Sequence, residues 1–213
     1  MGTDVLLQLA IVLLGLCMFF MVHNFPKKAL TNLRTRGRSS AQANRHFFYG
    51  AQILARARSA RNRTTSVNLA KEAAGEADKA LSLEPRDAAA HILKALALDL
   101  MGHKSSALRS LDTALSPPAV KSLSDKEHGD ALFKRAELQV ALNRRRRVDS
   151  AVADLVESVR LSPDNAKAYC LLGQCHAMKG MKDEARKAFE RAIGLDPGSV
   201  AARDGLDRLL NSS

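Results

Sequence analysis

Tryptophan is absent from this 213-residue chain, and only two tyrosines and seven phenylalanines accompany its many aliphatic residues. That scarcity argues against an aromatic-rich β-sandwich. Cysteine is scarce too. Cys17 lies in an apolar run, while Cys170 and Cys175 are five residues apart on a predicted helix, where about 500° of rotation leaves their side chains pointing about 140° apart. These three make no disulfide framework, so a reduced, cytosol-facing domain is expected. The six histidines are scattered, no glycine-rich phosphate loop occurs, and no paired carboxylates share an apolar face. Catalysis, a cofactor and a metal centre are therefore not expected.

Acidic residues are missing from one stretch in particular. Residues 23–71 carry eleven Lys or Arg and no Asp or Glu, residues 1–22 carry only Asp4, and residues 72–213 hold 22 basic against 21 acidic residues, which together give the net charge of +11. The bulk of the chain is close to neutral. Its basicity is a property of a single segment, suited to binding a surface or to setting membrane orientation.

The one long hydrophobic run lies just before that segment. Val5–Val22 is 18 residues without a charge, twelve of them Leu, Ile, Val or Phe. As a helix it would span about 27 Å against the roughly 30 Å of a bilayer core, so residues 1–24 are expected to form a transmembrane anchor. A cleaved signal peptide fits less well. No Lys or Arg precedes the run, and no small-x-small site follows it before Phe25-Pro26-Lys27-Lys28. Lys27, Lys28, Arg34, Arg36 and Arg38 follow closely on the C-terminal side, which predicts a single-pass protein with its C-terminal part in the cytosol. Endoplasmic reticulum and organelle outer membrane are not separated by these features. In that orientation the sequon Asn62-Arg63-Thr64 stays unglycosylated.

Residues 25–65 read as a basic juxtamembrane connector ending in a helix of mixed character. From Arg45 to Arg63, the residues Phe47, Phe48, Tyr49, Ile53 and Leu54 suggest an apolar stripe with arginines opposite. Two roles stay open: packing against the helix near Leu69–Leu83, or lying on anionic lipid. The two are compatible if one face packs and the other meets the membrane. Nucleic acid is the disfavoured partner, because no stacking platform interleaves the arginines. The run Arg144-Arg145-Arg146-Arg147 is expected in a solvated loop between helices.

What fills the remainder is a period. Ala73, Ala107, Ala151 and Ala185 are 34, 44 and 34 residues apart, Pro163 and Pro197 are 34 apart, and Gly102 and Gly180 are 78 apart. One ten-residue excess explains every mismatch. The clearest unit carries Tyr169, Leu172, Gly173, His176, Ala185, Phe189, Ala192 and Pro197. It resembles the tetratricopeptide repeat, whose first helix carries an aromatic, Leu-Gly and Tyr and whose second carries Ala, Phe, Ala and a closing Pro, with His176 standing in place of the Tyr. A weaker unit keeps Gly102, Ala107, Leu111 and Ala114. Between these two, Phe133, Ala136, Val140, Ala151, Leu155 and Pro163 fit if the interhelical turn is lengthened by two residues at the four arginines, the other eight lying between Pro117 and His128. Ser124-Asp125-Lys126-Glu127 reads as a capping box. Upstream, Leu69, Ala73, Ala77, Ala80, Leu83 and Pro85 supply a second helix whose first helix must come from the connector. At the C-terminus, Val200, Ala201, Leu206, Leu209 and Leu210 lie on one side of a capping helix.

The resemblance implies an all-α chain: a short right-handed α-solenoid of tetratricopeptide-like hairpins over residues 66–213, preceded by the N-terminal transmembrane helix. First helices would line a concave groove, with Ile92, Leu96, Asp99, Lys134, Leu138, Lys167, Cys170, Gln174 and Met178 facing it. One branch of the family grips C-terminal carboxylates with Lys, Asn and Arg. Here only Lys134 and Lys167 carry the charge and no asparagine accompanies them, so an apolar groove for a peptide, an amphipathic helix or a neighbouring subunit fits better. Cys170, Cys175 and His176 are expected to pack rather than react. The function that follows is a membrane-anchored adaptor for protein partners. Alternatives are an organelle outer-membrane receptor for amphipathic presequences, and a structural subunit of a membrane complex.

Overall fold

The computed structural model describes residues 27–211, and among them every regular element is helical. Val5–Val22 lies outside the described residues, and no described helix is long and apolar enough to cross a membrane. The chain divides into two compact units, Met1–Gln42 and Ala43–Ser213. The second contains all the hairpins.

Its helices are the C-terminal part of α1 (Lys27–Ser59), then α2 (Arg63–Leu83), α3 (Ala88–Leu100), α4 (Lys104–Ala114), α5 (Asp125–Leu161), α6 (Ala166–Met178), α7 (Lys182–Leu195) and α8 (Val200–Asn211). A short 3₁₀ turn, Ala119–Ser122, precedes α5. Side-chain caps fix four of the starts. Asn62 accepts from the Thr64 amide at 2.9 Å, Asp87 from Ala89 at 2.9 Å, and Asn165 from Ala168 at 3.0 Å. The Ser124–Glu127 capping box forms as the sequence predicts. Gly102 and Gly180 close α3 and α6 with φ of 87° and 74°. In both, the amide two residues past the C-cap bonds back to an earlier turn, His103 to the Leu98 carbonyl at 2.9 Å and Met181 to that of His176 at 3.0 Å. This Schellman closure needs a left-handed residue, which is why glycine recurs at that point of the period.

Two expectations about boundaries are corrected. The connector is helical from Lys27 instead of from about Arg45, and it stops at Ser59 because Asn62 starts a new helix and the Ser66 hydroxyl donates to the Ala57 carbonyl at 2.8 Å. The four arginines, for their part, do not form a loop. Asn143 alone leaves helical geometry (φ −156°, ψ 88°) and its side chain accepts from the Arg146 amide at 3.1 Å, so the arginines open the second helix of that hairpin. The two extra residues at the arginines are absorbed as added helix.

Each hairpin shares its core with the first helix of the next. Ile53, Leu54, Ala73 and Ala77 enclose Leu93 and Ala97 of α3. Ala107, Leu108 and Leu111 of α4 meet Ala131 and Leu138 of α5, and Ala151 and Leu155 meet Ala168 and Leu172 of α6. This mutual burial is the stacking of a solenoid, and alanines let the backbones approach. The connector thus supplies the first helix of the first hairpin. Phe189 is the largest fully buried side chain, held between Gly173 and Gly205: a Cβ would come within 2.7 Å and 2.6 Å of its ring.

That ring also turns the capping helix. Ala202 and Gly205 are its buried positions, with Leu206 and Leu209 beside them, whereas Val200, Ala201 and Leu210 are exposed on other sides. The apolar side expected from sequence is therefore rotated, because only small residues fit over Phe189.

Candidate functional site

Three cavities follow one another along the first helices. The first, about 520 Å³, is lined by Phe47 and Leu54 of α1, Ile92 and Leu96 of α3, and Phe133 and Lys134 of α5. The second, about 630 Å³, takes in Asp99, Lys104, Lys134, Glu137 and Gln174, and the third, about 350 Å³, takes in Gln174, Met178, Lys182 and Leu209. Lys134 borders the first two and Gln174 the last two, so the cavities adjoin one another in a row. Its chemistry changes along the way, from an apolar end at α1 and α3 to a charged middle.

The charged middle is internally neutralised. Lys134 Nζ lies 2.8 Å from Asp99 Oδ2 and 3.1 Å from Glu137 Oε2, and Lys104 Nζ lies 3.4 Å from Asp99 Oδ1. Burial, the largest influence on each group, opposes ionisation. The hydrogen bond between them and the neighbouring charges prevail, holding Asp99 below and Lys134 above its ordinary pKa. Lys134 is thus already paired on both sides, and a partner's carboxylate would have to compete with Asp99 for it.

The expected groove residues divide accordingly. Ile92, Leu96, Asp99, Lys134, Gln174 and Met178 border the cavities, and Met178 is 41% exposed. Leu138 touches the second cavity but is 1% exposed, because it packs against Leu108 and Leu111 from α4. Cys170 is a correction. It is buried beside Ala185 and Phe189, its thiol is pushed up by that burial, and its sulfur accepts from Gln174 Nε2 at 3.7 Å. Lys167 is another. It stands exposed and lines none of the three cavities, one helical position away from the buried Ala168. His176 is buried in α6, and its Nδ1 has no hydrogen-bond partner. Burial pushes its pKa down, with the Lys179 charge acting in the same direction and that of Glu184 against it. Among the described residues no three of His, Cys, Asp or Glu group to hold a metal.

Of the basic surface, Arg146 and Arg147 are exposed, while the side chains of Arg144, Arg145, Lys27, Lys28, Arg34, Arg36 and Arg38 lie outside the described residues.

Phe47, Leu54 and Phe133 are lining residues that the groove assignment omits. The apolar stripe of the connector already contained the first two. A buried network was also not legible: Arg135 grips Asp154 through two bonds of 2.7 and 2.6 Å, and Gln139 donates to the same carboxylate at 3.1 Å. Nothing in the spacing of 19 residues announces it.

Paired helices sharing cores, with glycines closing their turns, also have counterparts among known proteins. Residues 135–200 match the model of the tetratricopeptide repeat. In amino-acid sequence the chain is 34% identical over 64 residues to heat shock protein STI1 of Saccharomyces cerevisiae, covering 30% of this chain and 11% of that protein. It is 38% identical over 60 residues to the Hsp70-Hsp90 organizing protein of Triticum aestivum, covering 28% and 10%. The chain therefore spans about a tenth of the length of these curated relatives. In structure it is similar to YrrB, described as a TPR protein with an unusual peptide-binding site, at a TM-score of 0.58 and 25% identity over 70% of this chain and 71% of that one. The matched residues 135–200 and this fold together support the tetratricopeptide repeat family and an all-helical tetratricopeptide-like solenoid.

Proposed function

We propose that this chain is a membrane-anchored adaptor that recruits a protein partner through an amphipathic helix laid along its first helices. The observation that carries the proposal is the apolar end of the row, where Phe47, Leu54, Ile92, Leu96 and Phe133 line about 520 Å³ next to a charged stretch that is already paired. An apolar helix face gains burial there without displacing an ion pair, and its polar face keeps water. Val5–Val22 serves as the anchor and fixes the repeats on the cytosolic side of the endoplasmic reticulum or of an organelle outer membrane.

The names of the curated relatives suggest a second ligand, a chaperone tail ending in a carboxylate. Lys134 is the groove cation such a tail would need, and its 2.8 Å contact with Asp99 weighs against that ligand. A photo-crosslinker placed at Leu96 in the full chain, expressed in cells, tests the adaptor role. Partner capture that is lost on Ile92→Glu and kept on Lys134→Met supports an apolar groove, and the reverse pattern supports a carboxylate ligand. Capture of amphipathic presequences would specify a targeting receptor. Protease protection of the repeats in sealed vesicles, or glycan on Asn62, would end the cytosolic assignment.

A further inference from the structure

One face of α1 buries Ala43, Gly50, Ile53, Leu54 and Ala57, while the opposite face is uncovered. That outer face carries Arg45, Phe48, Tyr49, Gln52 and Arg56, spaced three, four, seven and eleven residues from the first, which is one stripe of a helix. Phe48 is 69% and Tyr49 50% exposed. Single exposed apolar residues are ordinary, but two adjacent aromatics flanked by arginines are not. Neither Arg45 nor Arg56 makes an ion pair among the described residues. No acidic residue occurs anywhere in residues 23–71, and the nearest buried carboxylate, Glu76 of α2, is taken by His46 and Lys79 at 2.6 and 2.7 Å.

We propose that this outer face of α1 docks on an anionic lipid bilayer, with Phe48 and Tyr49 entering the headgroup boundary and Arg45 and Arg56 meeting lipid phosphates and carboxylates. A bilayer supplies in one surface both things the stripe lacks, an apolar layer at the depth of a ring and a sheet of negative charge above it. An acidic protein surface supplies only the second. Val5–Val22 ends 23 residues before Arg45, so a bilayer held by that run is already close. The proposal draws on the membrane assignment for that proximity, whereas the stripe itself stands on the packing of α1. It also reconciles the two roles left open for the connector, since packing uses one face and lipid the other.

The absence of tryptophan makes a clean test available. Full-length protein carrying Phe48→Trp is reconstituted with vesicles of brominated phosphatidylcholine, alone or mixed with phosphatidylserine. The expected result is a blue-shifted emission quenched by about twofold or more on the anionic vesicles, with much less change on the neutral ones. Both effects disappear on adding Arg45→Glu and Arg56→Glu, or about 0.5 M salt. Tyr49→Trp repeats the reading should the first variant fold poorly. Val156→Trp, at a position 51% exposed on α5, is the reference and stays unquenched. Protein that sediments with both vesicles while the introduced indole of the Phe48→Trp variant stays unquenched overturns the docking face and leaves the anchor intact. Equal quenching on both vesicles, or quenching indifferent to charge reversal, also overturns it, by assigning proximity to Val5–Val22 alone. Failure to sediment with either vesicle removes both proposals together.

Discussion

The first and last hairpins of the solenoid reach the same architecture by different means. In the last, one aromatic ring organises everything: Phe189 fills the space between α6 and α7, and Gly173 and Gly205 are small because it is large. In the first, no aromatic is buried. Ile53 and Leu54 pack against a ladder of alanines on α2, and a polar tie, His46 to Glu76 to Lys79, joins the helices beside Gly50. The last hairpin is therefore written in family-typical residues and the first is not. What is shared is a requirement for close backbone approach, which alanine meets on one side and glycine on the other.

The contrast is broken most severely at its organising ring. Phe189→Ala removes the contact between α6, α7 and α8 at once and is expected to cost about 3–5 kcal/mol, measured by urea denaturation. Ile53→Ala in the first hairpin should cost less, about 2–3 kcal/mol, because small alanines can close part of the gap. Equal losses would mean that the two cores are organised alike.

Glycine is the next lever. Gly173→Ala drives a methyl to 2.7 Å from the Phe189 ring and should cost about 1–3 kcal/mol despite the better helix propensity of alanine. Gly50→Ala meets Leu93 Cδ2 at 3.0 Å, the end of a movable side chain, as well as the Glu76 Cβ at 3.1 Å. It should cost less than Gly173→Ala in the same assay. The polar tie gives a smaller effect again. Glu76→Gln, which keeps shape and removes charge, should lower the melting temperature of the full chain modestly at neutral pH, with the difference shrinking as pH falls below the ordinary carboxylate value of about 4.3 and vanishing once the folded carboxyl is itself protonated.

Acid should separate the two hairpins without any mutation. Burial holds the His176 pKa in the fold below the value of about 6.5 at which the unfolded chain takes up the proton. The unfolded state then binds more protons, so stability of the last hairpin falls as pH drops through about 6.5. Glu76 behaves otherwise. Its hydrogen bond with Lys79, chiefly, and its bond with His46 hold it below its ordinary value, so its contribution persists until pH falls through and below about 4.3. Hydrogen exchange, corrected for intrinsic rates, should show α6 and α7 losing protection between about pH 7.5 and 5.5 while α1 and α2 keep theirs. His176→Phe should abolish the difference.

Local chemistry explains how much could be read in advance. Caps and closures depend on residues within a few positions, so Ser124–Glu127, Gly102 and Gly180 were legible as they stand, and the alanine period located each second helix. The residues misplaced were those judged by helical phase alone. Lys167 and Cys170 sit three positions apart on α6, yet one is exposed and the other buried under Phe189, because the rotation of a helix is set by its neighbours. The arginine run was misread for a related reason: Asn143 can cap a helix within one residue, so no loop was needed to accommodate four charges.

By itself, the sequence determined that this protein is a stack of helical hairpins and where the hairpins close, since periodicity, capping and backbone freedom are properties of short segments. Only the tertiary structure decided which side chains remain free to act. Asp99 and Lys134 are 35 positions apart and cancel one another. Arg45, Phe48, Tyr49 and Arg56 are close together and stay uncovered, because the helices that stack on α1 approach from its other side.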